Sequence, residues 1–136
     1  MRILIFGLPG TGKTTLASSL IGLLPNCSWY NADEVRRLNN DWDFSAAGRI
    51  RQARRMRSLA DEDSAKGKQY VICDFVAPTD EIRSIYNADI CVWMDTHKSS
   101  QYEDTNSIFQ SPTQYTLRIT NFNYNIQDVI KLINKI

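Results

Sequence analysis

The chain has 136 residues, 43% of them hydrophobic and 23% charged, with six glycines and four prolines, so one globular domain is expected rather than two. Sixteen Lys and Arg stand against fifteen Asp and Glu, so a net charge of +1 supplies no global field for nucleic acid or an anionic membrane. No segment is long enough to span a bilayer, and the apolar start, Met1 to Phe6, is shorter than a signal h-region, so a cytoplasmic protein is expected. Cys27, Cys73 and Cys91 match neither a metal-ligand pair nor a C-x-x-C redox spacing and read as reduced core residues.

Arg2 to Phe6 is a β-branched-rich run without polar alternation, as in a strand covered on both faces. Leu16, Ala17, Leu20, Ile21 and Leu24 then fall on one side of a helix that Pro25 stops. Cys27 to Tyr30 is a second strand. Asn31 caps the next helix, with Glu34 placed to close a capping box. Ser45 opens a long helix running to about Lys66, where Gly67 takes the C-cap glycine position. Tyr70 to Asp74 is a third strand, Thr79 starts a short helix, and Asp89 to Met94 is a fourth strand. From Thr96 to Thr113 the sequence is polar and without sustained periodicity, which marks the one candidate mobile segment. Tyr115 to Thr120 reads as the last strand, and Ile126, Val129, Ile130, Ile133 and Ile136 form an amphipathic C-terminal helix. Strands alternating with helices predict a three-layer α/β domain over residues 1–136.

Gly7-Leu8-Pro9-Gly10-Thr11-Gly12-Lys13-Thr14 fits Gly-x-x-x-x-Gly-Lys-Ser/Thr without a mismatch and lies between a strand and a helix. Glycines let successive N–H groups turn inward, and the helix after the loop adds its positive dipole end, so the loop suits a polyphosphate. Lys13 is placed to reach the β and γ phosphates of ATP, Thr14 to enter the shell of Mg²⁺, and Thr15 to hold the α phosphate. The motif alone does not separate kinases from ATPases and GTPases.

Asp74 and Asp95 each end an apolar strand, where P-loop proteins hold Mg²⁺ and where a loop carboxylate also satisfies backbone donors. Asp33 comes just after the second strand, as a base for an attacking hydroxyl, a metal ligand, or an acid complementing the helix dipole. Of the five arginines from Arg49 to Arg57, Arg51, Arg54 and Arg55 point away from Ile50, Ala53, Met56 and Ala60 and read as a solvated face partly balanced by Asp61, Glu62 and Asp63. Arg49 lies on the inward side, where a guanidinium clamps a substrate anion or enters an internal ion pair; Arg36, a turn after Asp33, is a similar candidate. His97 reads as a surface residue, and Trp42 and Phe44 as a base stack or as packing under their loop.

Gly7 to Thr15, Asn31-Ala32-Asp33-Glu34-Val35-Arg36, Leu38-Asn39, Phe44-Ser45 with Arg49, Arg54-Arg55, and Phe75-Val76-Ala77-Pro78 together resemble the adenylylsulfate kinase family over roughly the first 96 residues. The resemblance implies a nucleoside-monophosphate-kinase-like fold with strand order 2-3-1-4-5. It implies transfer of the γ-phosphoryl of MgATP to the 3′-hydroxyl of adenosine 5′-phosphosulfate, with Lys13 and Asp33 in catalysis. It further places Asp33, Arg36, Asn39, Phe44, Arg49, Phe75, Val76 and Ala77 against the acceptor, while Thr14 and Asp74 are the metal candidates read from the loop motif and from the end of the third strand. Partners would be this small-molecule substrate or another nucleotide, and a homodimer is compatible with it. Departures are visible too. Asn31, Ala32 and Ala77 replace the family's Asp, Gly and Ser, Asp74 stands where the family has a small residue, and the lid lacks the Lys-Gly-Leu-Tyr-x-Lys-Ala-Arg signature. Lys98 is its one formal cation between Thr96 and Thr113. A different hydroxyl acceptor, or a nucleotide-binding module with weak catalysis, stays open on the residues alone.

Overall fold

Five apolar runs become five strands, and a computed structural model describing residues 1–136 pairs them all in parallel. In chain order the elements are β1 (Arg2–Phe6), α1 (Lys13–Ile21), β2 (Cys27–Asn31), α2 (Ala32–Asn39), α3 (Ala46–Ala65), β3 (Tyr70–Asp74), α4 (Asp80–Tyr86), β4 (Ile90–Met94), α5 (Glu103–Ile108), β5 (Leu117–Ile119) and α6 (Ile126–Asn134). The sheet order is β2-β3-β1-β4-β5, as the family resemblance implies. Successive strand residues point to opposite faces, so β1 sends Ile3 and Ile5 to one layer and Leu4 and Phe6 to the other. Leu16 and Leu20 of α1 and Val129 and Ile133 of α6 cover the first face; Ala53, Met56 and Ala60 of α3 with Ile82 and Tyr86 of α4 cover the second. Each fully buried Leu or Ile contributes roughly 1.5–3 kcal/mol through lost water contact, so the two clusters hold the layers together.

Parallel pairing puts the carboxyl ends of all strands on one edge. Register sets Asn31 beside Asp74 across β2 and β3, and Ile5 beside Asp74 across β1 and β3. That edge carries the glycine-rich loop and the loops after β2, β3 and β4.

Local signals act largely as expected at the helix starts. Ser45 Oγ accepts from the Gly48 amide at 3.2 Å, Thr79 Oγ1 from Ile82 at 3.2 Å, and Asn31 Oδ1 from Glu34 at 3.1 Å. Lys68 N donates to Asp63 O at 3.0 Å and Gly67 N to Ser64 O at 3.1 Å, so α3 closes in a Schellman turn. Gly48 is required by space: a Cβ there would sit 2.1 Å from the Asp43 carbonyl oxygen. Gly48→Ala is expected to lower stability by about 1–3 kcal/mol, read from the urea midpoint, because neither the helix backbone nor that carbonyl can yield cheaply.

Several expectations need correction. Glu34 does not complete a capping box; its carboxylate pairs with Arg37 one turn on. α1 ends at Ile21 with Gly22 as its cap, before Leu24, which is nevertheless buried. Ile136 lies beyond α6 and is exposed. The stretch from Thr96 to Thr113 contains the six-residue helix α5, whose sequence Glu-Asp-Thr-Asn-Ser-Ile carries no apolar face and so gives no periodic signal. Asn106 Nδ2 donates to Ser100 O at 2.8 Å, and Arg83 Nη2 donates to Gln110 O at 2.6 Å. Arg51 and Arg55 are not an unpaired solvated face: Arg51 Nε reaches Asp41 Oδ2 at 2.7 Å and Arg55 Nη2 the same oxygen at 2.9 Å. Asp63, expected to offset arginines, instead accepts from Ser28 Oγ at 2.6 Å and Tyr30 Oη at 2.8 Å.

Candidate active site

A cleft of about 1190 Å³ opens along the carboxyl edge, larger than a pocket for one small ligand. Pro9, Gly10, Gly12, Lys13, Thr14 and Thr15 form one end, while Asp33, Trp42, Phe44, Arg49, Phe75 and Val76 form the other. Asn31 and Asp74, the last residues of β2 and β3, also line it, and Gln101 to Thr105 of the segment around α5 complete the lining.

The glycine-rich loop has the geometry its motif predicts. Gly12 adopts φ +95°, a left-handed conformation that L side chains rarely take, and its position caps α1. Gly7 is fixed by contact: a Cβ there would approach the Met94 carbonyl oxygen to 2.4 Å. Thr11 is fully buried and donates to Leu8 O at 2.8 Å, bracing the loop from within. Lys13 Nζ donates to Gly7 O at 3.0 Å and Leu8 O at 2.8 Å, so the ammonium is held by its own loop's carbonyls. Burial pushes its pKa down to about 8, with Asp74 and then Asp33 pulling the other way.

Asp74 is 2% exposed, and both carboxylate oxygens are engaged: Oδ2 accepts from Trp29 Nε1 at 2.5 Å and Oδ1 from Asn31 Nδ2 at 3.1 Å. Burial raises its pKa; hydrogen bonding from Trp29 and the charge of Lys13 oppose that rise. The same Asn31 amide reaches Thr14 Oγ1 at 3.3 Å, so Thr14 and Asp74 converge on one small volume with hard oxygen donors. Mg²⁺ accepts such donors and keeps several ligands for water and phosphate, so the residues present fit that ion. Asn31 is therefore both the helix cap and the bridge between the phosphate loop and β3.

Asp95 does not line the cleft. It is buried and accepts from Arg118 Nη2 at 2.6 Å and Lys98 Nζ at 3.0 Å, which removes it as a metal candidate and makes it a tie between β4 and β5. The only formal cation of the lid-like segment is thus occupied at the cleft's flank, while Glu103 and Asp104 of α5 face the cleft.

At the acceptor end, Asp33 is exposed on the first turn of α2, whose start is braced by Gln52 Nε2 donating to Ala32 O at 3.1 Å. Arg49 Nε donates to Phe44 O at 2.8 Å and Nη2 to Thr105 Oγ1 at 3.2 Å, without a carboxylate partner. Burial lowers its pKa and nearby Asp104 opposes the shift. Arg36 is placed differently: 4% exposed, it donates to Asp41 O at 3.0 Å and Asp43 O at 3.1 Å, and its guanidinium lies 4.3 Å over the Phe44 ring. It faces a small side pocket of about 60 Å³ that also takes Ala77. Asn39 turns its amide back to Val35 O at 2.8 Å and does not line the cleft. Leu8 and Thr11 are buried behind the loop, and Ala77, with φ +43°, is buried at the turn after β3.

Sequence reasoning missed Phe122 and α5. The Phe122 ring lies 3.1 Å from where a Gly12 Cβ would stand and 5.4 Å, centroid to centroid, from His97. An aromatic residue in the Asn-rich turn between β5 and α6 was the available signal, since that turn also opens on the carboxyl edge.

A phosphate-binding loop at the switch of a 2-3-1-4-5 parallel sheet, with a second lined end of the same cleft, defines a P-loop nucleotide-binding domain with room for a second ligand. The model of the adenylylsulphate kinase family matches residues 1–105, and the chain belongs to that family, which makes it a phosphotransferase acting on a hydroxyl acceptor. Its fold is similar to that of a Mycobacterium tuberculosis APS kinase solved with AMPPNP and APS, with TM-score 0.79, 22% identity, and 98% of this chain and 96% of that one covered. A hexameric APS kinase from Thiobacillus denitrificans aligns with TM-score 0.68 and 24% identity, over 98% of this chain and 28% of that one. Shikimate kinase from Aquifex aeolicus shares the fold at TM-score 0.62 and 17% identity, over 99% of this chain and 94% of that one. No curated protein sequence matches the chain. No helix is long and apolar enough to cross a membrane.

Proposed function

We propose that this protein transfers the γ-phosphoryl group of MgATP to the 3′-hydroxyl of adenosine 5′-phosphosulfate, giving ADP and 3′-phosphoadenosine 5′-phosphosulfate. The observation that carries the reading is the single cleft that joins the phosphate loop to Asp33, Phe44 and Arg49. Donor and acceptor can meet in it without crossing bulk water.

In this reading the loop amides and Lys13 hold the β and γ phosphates, with the ammonium exchanging the Gly7 and Leu8 carbonyls for phosphate oxygens. Asp33 orients the acceptor hydroxyl and takes its proton as that oxygen bonds to the γ phosphorus. The bond from phosphorus to the β–γ bridging oxygen breaks, and ADP keeps the electron pair. Arg49 binds the phosphosulfate, Phe44 stacks the acceptor adenine, and Phe75 and Val76 wall that end, with Arg36 and Ala77 in the side pocket behind it. Thr14 and Asp74 are the residues that would hold Mg²⁺, which when bound neutralises phosphate charge.

Lys13 also makes ATP binding a proton-linked event. With its pKa at about 8 in the free protein against an ordinary 10.5, the side chain is largely neutral at pH 9, and phosphate oxygens favour the charged form. ATP binding at pH 9 should therefore take up protons, and affinity should fall as pH rises above about 8. Calorimetry in two buffers of different ionisation enthalpy checks this; equal binding enthalpies would contradict it.

A second reading has one observation in its favour. Glu103 and Asp104 face the cleft where the family's lid supplies cations, which suits an acceptor without a phosphosulfate group. Purified protein with MgATP and a panel of phosphosulfate, nucleoside and small-alcohol acceptors tests both: turnover confined to adenosine 5′-phosphosulfate supports the first, and turnover of a neutral alcohol alone supports the second.

A further inference from the structure

The loop from Asn40 to Ser45 carries two half-exposed aromatic rings, Trp42 and Phe44, into the acceptor end of the cleft and has no strand or helix of its own. It is held by a set of charges behind the rings. Asp41, with its side chain 11% exposed, accepts from Arg51 Nε at 2.7 Å, Arg51 Nη2 at 3.0 Å and Arg55 Nη2 at 2.9 Å, and Arg36 Nη1 lies 4.0 Å away. Asp41 Oδ1 also accepts from the Asp43 amide at 3.2 Å. The rest of the loop is gripped by guanidiniums in turn. Arg36 binds the carbonyls of Asp41 and Asp43 at 3.0 and 3.1 Å, and Arg36 and Arg49 lie 4.3 and 5.4 Å over the Phe44 ring.

We propose that Asp41 is a positioning residue for the acceptor: its carboxylate gathers Arg36, Arg51 and Arg55 and so fixes the loop that presents Phe44 to the cleft. Isolated surface ion pairs contribute little, but here one carboxylate faces guanidiniums from both α2 and α3. Without it, three like charges stand within reach of one another and the loop loses the contact common to both helices. The inference rests on the proposed acceptor end of the cleft; it does not depend on which hydroxyl compound binds there.

The test compares Asp41→Asn with Arg57→Gln, which removes a pair to Asp61 at 3.0 Å on the same helix as Arg51 and Arg55 but away from the cleft. Hydrogen exchange should show the amides of residues 40–45 opening at least about ten-fold faster in Asp41→Asn, with acceptor KM raised roughly ten-fold while kcat and the KM for ATP stay within about two-fold. Arg57→Gln should leave both readouts unchanged. Should Asp41→Asn fail to fold, Arg51→Met is expected to move exchange and acceptor KM in the same directions. Unchanged exchange, a looser loop with unchanged acceptor KM, or an ATP KM that rises in step would each overturn the proposal. If the wild type leaves adenosine 5′-phosphosulfate untouched, the KM arm is read with the hydroxyl compound it does phosphorylate, so failure of that substrate assignment is distinguishable from failure of the positioning role.

Discussion

Lys13→Met should lower kcat/KM for phosphoryl transfer by roughly 10²–10³-fold, or about 3–4 kcal/mol of transition-state stabilisation, with little change in fold stability. The magnitude reflects the ammonium's place at the γ phosphate, where negative charge shifts toward the bridging oxygen in a site shielded from water. Stability should hold because the present partners of Lys13 are two carbonyls of its own loop, and the ammonium is desolvated there at some cost. The loop itself is braced by Thr11 and by the close approach of Gly7 to Met94, neither of which involves the lysine. The kinetics are read from initial rates and the stability from urea unfolding; a loss of activity matched by global unfolding would contradict the assignment.

Arg49→Ala should raise acceptor KM or cut kcat so that acceptor kcat/KM falls by about 10–10²-fold, the range of one charge-assisted hydrogen-bonding group worth about 1.5–3 kcal/mol. ATP binding should be nearly intact, because Arg49 lies at the opposite end of the cleft from the phosphate loop. Its two observed bonds, to Phe44 O and Thr105 Oγ1, are neutral partners that an anion can replace or extend. Steady-state kinetics with each substrate varied separately checks the separation. An equal loss of ATP affinity would contradict the role given to Arg49.

Much of this architecture is readable along the chain because its causes are local. The apolar runs of Ile3–Phe6 and Tyr70–Asp74 have no polar alternation, which only a sheet covered on both faces accommodates, and the helix starts at Ser45 and Thr79 announce themselves by their hydroxyls. Helical geometry also turns Arg49 inward without reference to any relative. The hidden parts depend on residues far apart in sequence. Asp41 draws Arg51 and Arg55 across ten and fourteen positions, and Arg36 then binds the loop backbone, a placement no spacing rule foresees. α5 lacks an apolar face and is tied to the domain by Arg49 on Thr105, 56 positions away, so its composition reads as loop. The capping-box spacing pointed Glu34 at the Asn31 amide, whereas its carboxylate pairs with the Arg37 guanidinium three residues on.

Phosphorus NMR of a reaction containing protein, MgATP and adenosine 5′-phosphosulfate tests the central claim most directly. The predicted result is a new phosphomonoester resonance coupled to the ribose 3′ proton, growing in step with ADP. ADP formed without that resonance, or no ADP at all, would contradict transfer to the 3′-hydroxyl.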